Sequence, residues 1–104
     1  MACVRFNLEY TQNAISDLDK ILHYIRIELD NVPAAEALYN EIYNALDNAC
    51  NFPKFAPLAN YDVNFELRKI LVKNYVIFYG VDEPAKKIKV YTIRYAKSDL
   101  AKLF

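Results

Sequence analysis

Residues 4–10 alternate between apolar and polar side chains. The apolar set is Val4, Phe6, Leu8 and Tyr10, and the polar set is Arg5, Asn7 and Glu9. A period of two with one polar face predicts a strand that buries a single face. Thr11 or Asn13 can then cap a following helix with its side-chain oxygen.

Two helices are predicted next, because the spacing of apolar residues changes to three and four. The first stripe is Ala14, Leu18, Ile21, Leu22, Ile25 and Leu29, and the second is Ala35, Leu38, Ile42, Ala45, Leu46 and Ala49. The first helix should end near residues 30–31, where a short turn makes an antiparallel helical hairpin. Pro33 suits the first turn of the second helix, and Pro53 follows its end. Asp17 and Asp19 suit the positive start of the first helix.

The second half of the chain predicts strands. Residues 53–64 contain two prolines and no clear period, so we interpret them as a loop. The predicted strands are residues 65–72, 75–81 and 88–95. The middle one is almost wholly apolar, as expected of a central strand buried on both faces.

The predicted order is therefore β-α-α-β-β-β in a single domain over residues 1–104. A helical hairpin must bury its apolar stripes, and one face of a sheet is the available surface. The last three strands should form a meander, with the first strand added beside one of them. We expect an α+β fold in which the N-terminal strand and the helical hairpin pack on an antiparallel sheet.

Composition excludes several classes of protein. Of the 104 residues 55% are hydrophobic and one is glycine, which suits a compact domain and excludes a glycine-rich phosphate-binding loop. No apolar run is long enough to span a membrane, and the first ten residues lack the apolar core of a signal peptide. We interpret Cys3 and Cys50 as buried thiols in a reducing cytoplasm. We expect no cofactor and no metal.

The formal net charge of zero conceals an uneven distribution. Residues 1–53 carry three Lys or Arg against eight Asp or Glu, which leaves −5. Residues 54–104 carry ten Lys or Arg against five Asp or Glu, which leaves +5. Such asymmetry is compatible with binding of nucleic acid or an acidic partner, and also with ordinary solvated charge.

Several segments together resemble the RelE/ParE superfamily of bacterial type II toxin–antitoxin toxins, also called plasmid stabilisation proteins. They are residues 14–21 (AISDLDKI) with Tyr24-Ile25, Ala34-Ala35, Asn51-Phe52-Pro53, residues 68–83 (RKILVKNYVIFYGVDE) and residues 93–99 (IRYAKSD). Residues 68–83 resemble the family most, with an arginine, an apolar strand, a tyrosine turn and a strand that ends in aspartate. The resemblance covers residues 5–104 and implies a cytoplasmic toxin that a cognate antitoxin neutralises.

The resemblance implies two alternative activities. Some members are endoribonucleases that cut mRNA, commonly on the ribosome, and so inhibit translation, whereas ParE-type members inhibit DNA gyrase. We expect a metal-independent mRNA endoribonuclease. The alternatives are a gyrase inhibitor without nuclease activity and a degenerate toxin that only binds its antitoxin.

RNA cleavage through the ribose 2′-oxygen requires a base, a cation for the charged phosphorane and an acid. Arg68 and Arg94 are the candidate cations, because a guanidinium can bind two phosphate oxygens at once. Arg68 also lies where related nucleases place a phosphate-binding arginine. Its alternative role is that of an exposed strand residue paired with Glu66 or Asp62.

Proton transfer and RNA binding have weaker candidates. Tyr95 and Lys97 could transfer protons, and Lys54 and Lys73 could bind RNA phosphates. Tyr95 could equally be a core or interface aromatic, and each lysine could be an ordinary solvated residue.

The sequence departs from the nuclease pattern at the end of the last predicted strand. Ala96 stands where many nuclease members have a histidine or an arginine, and Ser98 where an arginine is frequent. The single histidine, His23, lies on the outer face of the first predicted helix. The missing base favours the ParE-type alternative. The candidate binding residues for that activity are Ile27, Leu103 and Phe104.

Overall fold

The computed structural model describes residues 5–59 and 66–96. The elements are β1 (Asn7–Tyr10), α1 (Gln12–His23) with a π-helical continuation (Tyr24–Glu28), α2 (Val32–Asn51), β2 (Leu67–Val72), β3 (Tyr75–Asp82) and β4 (Lys87–Tyr95). The predicted order and the α+β fold are confirmed.

The sheet has the strand order β1-β4-β3-β2. Strands β2, β3 and β4 form the predicted antiparallel meander, whereas β1 runs parallel to β4, pairing Asn7 with Lys87. The sheet is therefore mixed. A long connection through both helices separates β1 from the meander, so no tight turn forces an antiparallel pairing.

Side-chain caps fix the start of both helices. The hydroxyl of Thr11 accepts a hydrogen bond from the amide of Ala14 at 3.1 Å, and the Asn31 side chain accepts one from Ala34 at 3.1 Å. Pro33 occupies the first turn of α2, as predicted. The first turn of α1 holds no acidic residue, so Asp17 and Asp19 do not lie at its positive end.

The end of α1 widens into a π-helical turn, in which the amide of Leu29 donates to the carbonyl of Tyr24 at 3.1 Å. Asp30 then adopts a positive φ of 47° and closes the hairpin. Apolar spacing does not distinguish this turn from a regular helix, which explains why a continuous helix was predicted. The turn leaves Ile27 and Leu29 more than half exposed at the tip of the hairpin.

The main core lies between the hairpin and the sheet. Its fully buried residues include Ala14, Leu38, Ile42, Leu46, Ala49, Ile77, Tyr79, Ile88 and Val90. A second, smaller cluster on the opposite face of the sheet contains Leu67, Val76 and Phe78. Strand β3 is therefore buried on both faces, as its apolar sequence predicted. In the described part of the chain, no helix is long and apolar enough to cross a membrane.

The single glycine lies where two strands crowd together. The pairing of β3 with β4 shifts between Phe78 and Tyr79, because Tyr91 is an extra residue in β4. A Cβ on Gly80 would stand 2.9 Å from Cε2 of Tyr91. Gly80 therefore lets the Tyr91 ring lie directly on the β3 backbone beside this bulge.

Candidate functional site

A groove of 860 Å³ lies between the tip of the helical hairpin and the end of the sheet at which the β2–β3 turn meets the end of β4. Its lining includes the apolar residues Ile21, Ile25, Leu38 and Ile93, the tyrosines Tyr24, Tyr75 and Tyr95, and the charged residues Asp17, Lys20, Lys73 and Arg94. Three residues predicted for the site, Lys73, Arg94 and Tyr95, thus line one groove. Sequence reasoning missed Asp17, Lys20 and Tyr24 as parts of it.

Two tyrosines form one wall of the groove. The rings of Tyr75 and Tyr95 meet edge to face, with centroids 5.6 Å apart and an interplanar angle of 69°. Burial raises the pKa of Tyr75, and the neighbouring Tyr95 and Tyr24 raise it further. The Tyr75 hydroxyl is therefore protonated at neutral pH and suits hydrogen bonding rather than proton abstraction.

Arg94 is held by a short chain of hydrogen bonds. Its Nε donates to Oγ1 of Thr92 at 3.0 Å, and the Thr92 hydroxyl donates to Oδ2 of Asp17 at 2.5 Å. The same carboxylate oxygen accepts from the amide of Ile93 at 3.3 Å and lies 3.9 Å from Nε of Arg94. Among the described residues, the arginine is therefore fixed through its Nε and not through its terminal nitrogens.

Asp17 lies at the edge of the sheet and in the second turn of α1, not in the first turn proposed for it. Strand β1 pairs with β4 only as far as Val90. Beyond that point Thr11 pairs with the edge of β4. Its amide donates to the carbonyl of Val90 at 3.0 Å, and its hydroxyl donates to the carbonyl of Tyr91 at 2.8 Å. Further along β4, the Asp17 carboxylate accepts a hydrogen bond from the amide of Ile93. No local sequence signal links residues so far apart in the chain.

Arg68 lies in a different environment from the one predicted. Its Nη1 donates to the carbonyls of Ala56 at 2.7 Å and Lys54 at 3.3 Å, and Nη2 lies 3.6 Å from a carboxylate oxygen of Glu66. Only 11% of the side chain is exposed, and Nε is buried without a hydrogen-bond partner in the described part of the chain. The pairing with Glu66 is the alternative considered above, but the arginine is largely buried; Asp62 lies outside the described residues.

Tyr79 also binds the loop that Arg68 contacts. Its hydroxyl donates to the carbonyl of Pro53 at 2.8 Å, and burial raises the pKa of this tyrosine. We expect Tyr79→Phe to lower the free energy of unfolding by about 1 kcal/mol, because it leaves a carbonyl without its donor. Urea denaturation measures this loss. Tyr43→Phe, on the exposed face of α2, is the matched control and should change stability little.

Both lysines predicted to bind RNA have acidic neighbours. Nζ of Lys54 lies 2.6 Å from Oε1 of Glu83, and this hydrogen bond raises the pKa of Lys54 and lowers that of Glu83. Nζ of Lys73 lies 3.9 Å from Oε2 of Glu41. These side chains are about half exposed, so the pairs are weak and water can replace either partner.

The predicted site residues do not converge on one place. Arg68 pairs with Tyr79 and Arg94 with Val76, so the two arginines are offset by three residues, about 10 Å, along β3, which also lies between their two strands. Tyr79 belongs to the helix-side core and Val76 to the cluster on the other face, so the arginines start from opposite faces of the sheet. Lys97 lies outside the described residues. The catalytic and RNA-binding roles stay predictions.

Sequence comparison identifies the family. The family model described as the ParE toxin of the type II toxin–antitoxin system parDE matches residues 8–100. The match spans most of the chain, which therefore belongs to the ParE toxin family. The membership predicted from the sequence is confirmed at the level of the RelE/ParE superfamily. No curated protein matches the chain significantly.

Solved structures share the fold. A chain of the chromosomal ParDE toxin–antitoxin system of P. aeruginosa superposes with a TM-score of 0.69 at 18% identity, covering 89% of this chain and 98% of that one. Chains of the RelBE2 complex of Mycobacterium tuberculosis and the RelE–RelB complex of Pyrococcus horikoshii OT3 give TM-scores of 0.64 and 0.62, with 14% and 13% identity. They cover 88% and 89% of this chain, and 99% and 97% of their own. The similarity to these ParDE and RelBE chains establishes the fold alone.

Proposed function

We propose that this ParE-family toxin inhibits DNA gyrase in the cytoplasm and does not cut mRNA. The environment of Arg68 carries the proposal. Its Nη1 donates to two loop carbonyls, and the guanidinium is largely buried, so few donors remain for a phosphate. A phosphate-binding arginine needs its planar fork of N–H groups free.

The distribution of proton-transfer groups supports the same choice. His23, the single histidine of the chain, lies at the end of α1, is exposed and does not line the groove in the described structure. Tyr75 has a raised pKa, which makes it a poor base at neutral pH. Inhibition by binding requires a surface and no general base.

The tip of the hairpin offers such a surface. Its exposed apolar side chains are Tyr24, Ile27, Leu29 and Val32, each between 44% and 58% exposed. Adjacent exposed apolar groups of this kind are typical of protein–protein contact sites. We therefore assign gyrase binding to the hairpin tip, around Ile27. Leu103 and Phe104, the other residues predicted for this activity, lie outside the described residues.

Supercoiling assays with purified gyrase test the proposal. We expect the toxin to stop the supercoiling of relaxed plasmid, and Ile27→Glu to weaken inhibition at least about tenfold, because a buried unpaired charge is costly at an interface. Ile15→Glu is the matched control, since Ile15 is 43% exposed elsewhere on α1. Unchanged supercoiling with excess toxin, together with ribosome-dependent mRNA cutting that Arg94→Ala abolishes, would establish the nuclease instead.

Growth after unopposed expression gives an independent prediction. Pulse labelling should find DNA synthesis lost before translation, because gyrase inhibition blocks replication directly. Translation lost first would contradict the proposal. Normal growth with soluble toxin present would instead indicate a degenerate toxin that only binds its antitoxin.

A cognate antitoxin is the proposed partner. The matched chains from M. tuberculosis and P. horikoshii come from toxin–antitoxin complexes. The excess positive charge of residues 54–104 suits an acidic segment that folds on the toxin. We expect the product of the adjacent gene to co-purify with this chain, and separate elution of the two would remove that partner from the proposal.

A further inference from the structure

We propose that the groove contains a carboxylate-binding site built on Arg94, which takes an aspartate or glutamate side chain of an otherwise apolar peptide segment. This inference rests on the proposed function, because an antitoxin would supply such a segment. It adds the place at which the segment binds and the residues that recognise it.

Arg94 is oriented in advance for a carboxylate. Oγ1 of Thr92 accepts the hydrogen bond from Nε at 3.0 Å, while the Thr92 proton is directed to Asp17. Within the described residues, the two terminal nitrogens of Arg94 make no hydrogen bond. These two nitrogens form the fork that binds both oxygens of a carboxylate, and a fixed Nε lowers the entropy lost on binding.

Asp17 does not occupy the site that it supports. Its carboxylate accepts from the Thr92 hydroxyl and the Ile93 amide, and its side chain is only 13% exposed. Nε of Arg94 lies 3.9 Å away, beyond hydrogen-bonding distance. Asp17 therefore serves as a positioning residue that acts through Thr92.

The other charges around the groove select an acidic ligand. Lys20 and Lys73 stand on its wall, and Asp17 is the one acidic residue among the described lining residues. In the part of the chain that the structure describes, the one ion pair of Lys73 is the long, exposed contact with Glu41 at 3.9 Å, which a ligand carboxylate can replace. The cations thus surround Arg94 with positive potential.

The apolar lining favours a peptide over a nucleic acid. Ile21, Ile25 and Leu38 line the groove between hairpin and sheet. Leucine-like side chains of a peptide would be buried on this lining, whereas a nucleic-acid strand would place charged phosphates against it. An acidic and apolar peptide satisfies both the cations and the apolar wall.

Fluorescence anisotropy with the full-length toxin tests the site. The probe is a short labelled peptide in which leucine and glutamate alternate. Its affinity is compared with that of the same peptide in which glutamine replaces every glutamate. We expect the glutamate peptide to bind at least about tenfold more tightly, as for a charge-assisted hydrogen bond. Arg94→Ala should abolish this preference. Arg26→Ala, which removes an exposed cation outside the groove, is the matched control and should retain it.

Thr92→Val tests the positioning role. The substitution keeps the shape of the buried side chain and the charge of Arg94, but removes the hydroxyl that joins Arg94 to Asp17. The preference for glutamate over glutamine should fall several-fold, while the affinity for the glutamine peptide stays unchanged. A purely structural role would weaken both peptides equally, and that result would overturn the assignment of Thr92 and Asp17.

Three results would overturn the binding site itself. They are equal binding of the two peptides, a preference that survives Arg94→Ala, and a dimer in sedimentation whose groove takes no peptide because a second copy fills it. The gyrase assay uses none of these probes. Retained peptide preference without gyrase inhibition would therefore remove the proposed target alone, and the reverse would remove this site alone.

Discussion

Arg68→Ala is expected to lower the free energy of unfolding by about 2–4 kcal/mol, with most of its effect on the toxin arising from this loss. The substitution removes the donor to the carbonyls of Ala56 and Lys54 and leaves a cavity beneath the loop. Strand β2 would also lose support, because the loop adds to its edge through Leu58, which forms a bridge with Arg68.

Chemical denaturation of the soluble variants measures this effect. Lys69→Ala is the matched control, since Lys69 is the exposed neighbour of Arg68 in β2 and its loss should change stability by less than about 0.5 kcal/mol. Arg68→Lys should recover part of the stability, because one ammonium can serve fewer carbonyl acceptors than the guanidinium fork. Wild-type stability of Arg68→Ala combined with lost mRNA cutting would restore the catalytic role predicted from the sequence.

The fold was predictable because its signals are local. Alternation before Thr11, helical spacing in two stripes and the apolar run of β3 each define an element within a few residues. The helix caps and Pro33 likewise act on their immediate neighbours. Burial of both faces of β3 then follows from the apolar run, because a central strand has no solvent-facing side.

The candidate site was only partly predictable, because it depends on contacts between distant segments. The loop that covers Arg68 has no periodic pattern, yet the amide of Ala59 donates to the carbonyl of Leu67 at 2.7 Å and turns the loop into an added strand edge. A strand arginine next to a glutamate gives no sign of this cover. The sequence therefore predicted an exposed guanidinium where the structure has one bound to backbone carbonyls.

Lys73, Arg94 and Tyr95 are the polar and aromatic residues near strand ends that the sequence singled out, and they line one groove, while their catalytic and RNA-binding roles stay predictions. Their connection to Asp17 could not be foreseen, because it depends on where β1 stops. If β1 continued further along β4, one of its backbone carbonyls would accept the hydrogen bond from the β4 amide that now donates to Asp17. Because β1 is short, the edge of β4 beyond Val90 lacks a neighbouring strand, and the Asp17 side chain supplies the hydrogen-bond acceptor there.

Asp17→Ala is the second substitution expected to change the free energy of unfolding strongly, because it removes the acceptor at this edge of β4. The Thr92 hydroxyl and the Ile93 amide, in residues only 6% and 1% exposed, would both lose their acceptor, which should cost about 2–3 kcal/mol of the free energy of unfolding. Hydrogen exchange should localise the loss, because the Ile93 amide would exchange faster while the Val90 region, held by Thr11, would not. Asp19→Ala, on the exposed side of the same helix, is the control. Unchanged protection of Ile93 would mean that its amide finds another acceptor and that Asp17 does not close the edge.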